Sequence, residues 1–104
     1  MKEIKDIVKQ IREELDAAER YAKEAAKIKD VRSTDSSTYA EMARQELGHV
    51  DSLHNMAVRM IEKEKALDQQ VPPAMQAVWD WEHEQMIDRV VRIKSLLSMA
   101  RIDF

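Results

Sequence analysis

The chain has 104 residues, no cysteine, a charged fraction of 36% and a net charge of only −3. These numbers fit one domain and exclude a disulfide framework, a thiolate metal site and a sulfur nucleophile. Both signs of charge are mixed along every segment, with no basic stripe for a phosphate backbone, so nucleic acid is not an expected partner. Membranes are not expected either, because no apolar run approaches the roughly 20 residues that span a bilayer. The opening Met1-Lys2-Glu3-Ile4 lacks the apolar core of a signal peptide, and a cytoplasmic address is expected.

One glycine and two prolines among abundant Ala, Glu, Lys, Met, Leu and Arg make a helix-former's composition. The first segment, roughly residues 2–30, repeats apolar residues at Ile4, Val8, Ile11, Leu15, Ala18, Ala22 and Ala25, the period of a bundle-facing helix. It ends in the polar run Ser33 to Thr38, where Thr38-x-x-Glu41 forms a capping box if the next helix begins late. The second segment runs to about Leu67 with the stripe Tyr39, Ala43, Leu47, Val50, Leu53, Ala57 and Ile61. Pro72-Pro73 suits the first turn of a third helix over about 74–101. Its face is Met75, Trp79, Met86, Val90, Ile93 and Leu97, widened by Val78, Leu96 and Ala100. The expected fold is all-α, an antiparallel hairpin plus a third helix. A chain this short buries limited surface, so a homo-oligomer of at least two copies is expected to complete the core.

Glu46 falls inside the apolar stripe of the second helix, between Ala43 and Leu53, where an unpartnered charge costs several kcal/mol. His49 lies one turn on, and side chains at this spacing are about 5–6 Å apart at Cβ, close enough to share a metal ion. Glu19 lies about 40° from Leu15 on the first helix. With a turn at residues 31–34, Glu19 and Glu46 each sit about 18 Å from the bend and meet at one level. Ala18, Ala22, Ala43 and Gly48 leave room for close approach or for an ion. On the third helix, Glu82 and His83 are further metal candidates, although a simple up-down-up path places them about 16 Å from Glu46. His54 points inward and is expected to pack or hydrogen-bond, the seven methionines fill gaps in the core, and Trp81 faces outward as an interface residue.

In order, type and approximate spacing, Glu19, Glu46 and His49 resemble the first half of the ferritin-like di-iron motif, a Glu on one helix and Glu-x-x-His on the next. The resemblance covers about residues 4–67. The second half is missing, since Glu82-x-x-Gln85 has glutamine where histidine is expected. Two copies about a two-fold axis would restore the full ligand set, as in the encapsulated ferritins, to which this short hairpin is similar. The resemblance implies a di-iron centre shared between protomers and ferroxidase activity, with zinc or manganese able to take the same ligands. A larger assembly or an enclosing shell protein is compatible with it. The alternative is a non-enzymatic helical interaction module without metal, its glutamates satisfied by a buried polar network.

Overall fold

The computed structural model describes residues 2–67 and 72–100. Three helices account for nearly all of them: α1 (Lys2–Ile28), α2 (Ser33–Ala66) and α3 (Pro73–Ala100). The expected all-α architecture is therefore present. No helix among the described residues is long and apolar enough to cross a membrane.

Every residue of the α1 stripe, from Ile4 to Ala25, is buried. Across from it, Ala40, Ala43, Val50, Ala57 and Ile61 of α2 are buried, and Tyr39, Leu47 and Leu53 are partly covered. Alanines dominate the middle of this hairpin, and their small side chains let the two helices lie close together. α2 begins at Ser33, with Arg32 at its N-cap and no side-chain cap. The helix thus starts too early for the Thr38 capping box, and the Thr38 hydroxyl instead donates to the Thr34 carbonyl one turn back. Ser36 is enclosed, and its hydroxyl donates to the carbonyl of Ala25 at 2.6 Å. That carbonyl belongs to the last turn of α1, where acceptors run short of donors from their own helix. Ser36 consequently ties the two helices together at the bend.

Pro73 opens α3, where its missing N–H removes no helical hydrogen bond. The expected Pro72-Pro73 start is observed, while Asp68–Val71 lie outside the described residues. α3 lies mainly against α1 and runs parallel to it, as three contacts show. Arg12 pairs with Glu82, Arg89 with Asp16 and Glu19, and the Lys29 ammonium donates to the Met99 carbonyl. α2 meets α3 at His54, whose ring stacks on His83 at 5.0 Å and on Trp79 at 5.7 Å between centroids. This accords with the packing role expected of His54. From His54 toward the start of α2 the two helices leave a groove of about 570 Å³ between them.

The result is a rod of 56 × 19 × 17 Å. Its radius of gyration, 16.5 Å, exceeds the roughly 13 Å of a compact domain of this length. So slender a shape leaves apolar side chains uncovered, among them Trp81, Ile87 and Val91. Val78, expected to widen the α3 apolar face, is also exposed.

Candidate metal centre

Glu46 and His49 are brought together as the i, i+3 spacing predicts, with His49 Nδ1 3.5 Å from Glu46 Oε2. The third member is Glu14, whose Oε2 also lies 3.5 Å from His49 Nδ1. One donor atom from each of the three falls within 4.8 Å of the other two. Ligands bound about 2.1 Å from one metal ion stand about 3.0–3.5 Å apart at octahedral or tetrahedral angles, so small side-chain adjustments are enough to close the set on an ion. Burial is graded: the Glu46 side chain is 21% exposed, Glu14 31% and His49 60%. The carboxylates sit at the edge of the core and the imidazole faces solvent.

Glu19 does not join this group. Its carboxylate accepts a hydrogen bond from the Arg89 guanidinium at 3.1 Å and lies 3.8 Å from the Lys23 ammonium. The reason is the position of the bend. α1 ends at Ile28 and α2 begins at Ser33, so the turn is centred two residues earlier than a turn at 31–34. In an antiparallel hairpin such a shift moves the register by about four residues, close to one helical turn. The observed register pairs Ala25 with Ser36, Tyr21 with Tyr39 and Glu14 with His49. Glu46 accordingly meets Glu14, five residues before Glu19 on α1. The sequence carried a sign of this: Glu14 follows Ile11 and precedes Ala18 by the helical period, placing it at the margin of the apolar stripe.

Glu82 and His83 also lie apart from the cluster. Glu82 is buried and takes two hydrogen bonds from Arg12, one to each carboxylate oxygen, with Arg12 Nε at 3.0 Å. The hydrogen bond that Arg12 donates to Glu82 raises the guanidinium pKa above its ordinary value, against a smaller opposing effect of desolvation. His83 stacks between α2 and α3 on His54 and Trp79. Breaking the Glu82 pair from the arginine side strands a buried carboxylate. Arg12→Leu is therefore expected to lower stability by about 1–3 kcal/mol. Arg12→Leu with Glu82→Leu is expected to recover most of that loss, because no charge is then left buried. Urea unfolding of the two variants checks the difference.

The cluster and α3 occupy opposite flanks of the hairpin. On α1, the residues that reach α3 are Arg12, Asp16 and Glu19, and Glu14 is about 140–160° around the helix from each of them. The three donors consequently lie on a side that α3 leaves open. No known protein family, curated protein or solved structure matches the chain.

Proposed function

We propose that this chain is a metal-binding helical protein of the ferritin-like kind, in which Glu14, Glu46 and His49 hold a divalent ion and a second copy supplies the remaining ligands. The observation that carries this reading is the convergence of two carboxylates and an imidazole from two helices within 4.8 Å. Oxygen and imidazole donors suit iron, and zinc or manganese can occupy the same set. Three ligands leave coordination positions free, and the flank that bears them is open to a symmetry mate. Two copies facing one another there bring four carboxylates and two imidazoles together, enough for a di-iron centre.

Glu46 is the residue suited to bridge two ions, since it lies deepest of the three and nearest the hairpin core. Glu14 anchors the ion to α1, and His49 supplies the neutral donor at the solvent side. Bound iron supplies exchange of electrons with oxygen or peroxide, and ferroxidase activity in a cytoplasmic setting is the activity we assign. The rival reading, a helical interaction module without metal, draws support from Glu19 and Glu82, both of which already have cationic partners.

Metal titration of the purified protein, followed by solution mass, separates the two. Uptake near one iron per chain together with a metal-dependent doubling of mass is expected. No uptake of iron, zinc or manganese favours the interaction module. Uptake by a chain that stays monomeric overturns the shared site.

A further inference from the structure

We propose that the groove between α2 and α3, on a different side of the rod from the metal cluster, is a second interface at which another copy of this chain docks antiparallel. Its lining is mainly apolar, with Leu47 and Val50 on α2 facing Met86 and Val90 on α3 and with Asp51, His54 and Lys94 among them. Ile87 and Val91 stand at its edge, 47% and 62% exposed. Apolar side chains so uncovered along one groove mark a contact surface. The charges around it say which partner fits.

On the outer edge of α3, Glu84, Ile87, Val91 and Lys94 fall on one stripe by the helical period. Ile87 and Val91 are placed symmetrically about Arg89, and so are Glu84 and Lys94. A two-fold axis crossing α3 at Arg89 therefore sets Glu84 against Lys94 of the partner subunit, and Ile87 against Val91 of the partner subunit. α2 repeats the pattern independently. Arg44 and Asp51 are placed symmetrically about the Leu47–Gly48 peptide, so an axis crossing α2 there opposes Arg44 to Asp51 of the partner subunit. Among the described residues, Arg44 pairs only with Glu41, one turn away and exposed.

One axis serves both helices. The His54–His83 stack fixes the level of α2 against α3. Six residues back from His54 is Gly48 and six residues on from His83 is Arg89, each about 9 Å along antiparallel helices, which puts the two centres at one height. Gly48 then lies where α2 crosses its symmetry mate. An added Cβ there meets nothing within 4 Å inside the chain, so the glycine answers to no contact of its own protomer. Its missing side chain lets two backbones approach. An isologous face of this kind selects a second copy over an unrelated helix, whose charges have no reason to reverse about that level.

This interface needs no metal. The test is sedimentation across a concentration range in the presence of a chelator, where the wild-type chain is expected to form dimers. Ile87→Asp with Val91→Asp changes exposed positions only and is expected to give a helical monomer. Lys94→Glu faces Glu84 of the partner subunit twice per dimer and is expected to raise the dissociation constant about tenfold or more. Glu84→Lys with Lys94→Glu is expected to restore it to within about threefold. Gly48→Leu is expected to weaken the dimer while raising helix propensity. A wild-type monomer under chelation, as for a groove that takes a small apolar ligand or a different protein, overturns the proposal. So does an unchanged mass after the double aspartate substitution, or a charge swap that stays as weak as Lys94→Glu. A chain that is monomeric under chelation yet doubles in mass as it takes up metal sinks this interface alone and leaves the metal centre standing.

Discussion

Glu46→Gln is expected to lower metal affinity on the order of 100-fold or more, and Glu14→Gln to do nearly the same, while Glu19→Gln leaves binding close to wild type. Substitutions of residues that merely orient a ligand cost about 10–100-fold, and loss of a ligand itself is at least as severe. Glutamine keeps the shape and helix propensity of glutamate, so the variants change the donor and little else. The contrast between the two α1 glutamates is the informative part. Glu14 lies 3.5 Å from His49, whereas Glu19 is engaged by Arg89 on the flank that faces α3. A competition titration against a chromogenic chelator measures all three. The reverse order, with Glu19→Gln abolishing binding and Glu14→Gln sparing it, overturns the register on which the proposed site rests. Since bound ligands are deprotonated, wild-type affinity is also expected to fall as the solution is made acidic.

The stripes of α1 and α2 are legible because burial follows the 3.6-residue period: each α1 stripe residue is buried, and the proline pair marks the start of α3. Glu46 and His49 are legible for the same reason, since two residues one turn apart on one helix meet whatever the rest of the chain does. Partners on different helices are another matter. Whether Glu14 or Glu19 faces Glu46 depends on the position of the bend to within two residues, and helix ends are seldom legible that finely. The polar run Ser33 to Thr38 reads as a turn, yet α2 begins within it and Ser36 binds the end of α1. The fates of Glu19 and Glu82 depend on which side of the hairpin α3 takes, and nothing in the local pattern of α3 specifies that side. Arg12 and Arg89 select it only through charges that are far apart in the chain.

The same dependence of α3 on α1 makes Ile93 the most sensitive position on the third helix. Ile93 is fully enclosed, one of the two largest side chains with essentially no exposure. By the seventy-residue offset that pairs Arg12 with Glu82 and Lys29 with Met99, it lies level with Lys23, beside the α1 row that carries Ala22 and Ala25. Alanines have no side-chain rotamers that can swing in to fill a void. The cavity left by Ile93→Ala therefore collapses little, and a loss of about 3–5 kcal/mol is expected, in the upper range for such truncations. That corresponds to a fall in Tm of about 15 °C or more for a chain of this size. Val78→Ala, on the same helix and of nearly the same chemistry, is expected to cost under about 1 kcal/mol, because Val78 is 39% exposed. Because α3 is held mainly by α1 and little by α2, Ile93→Ala is also expected to loosen α3 ahead of the α1–α2 hairpin. Hydrogen exchange should then quicken along α3 while amides of Ala18, Ala22 and Ala43 stay protected. Uniform loss of protection across all three helices would instead show that the hairpin needs α3 to stay folded.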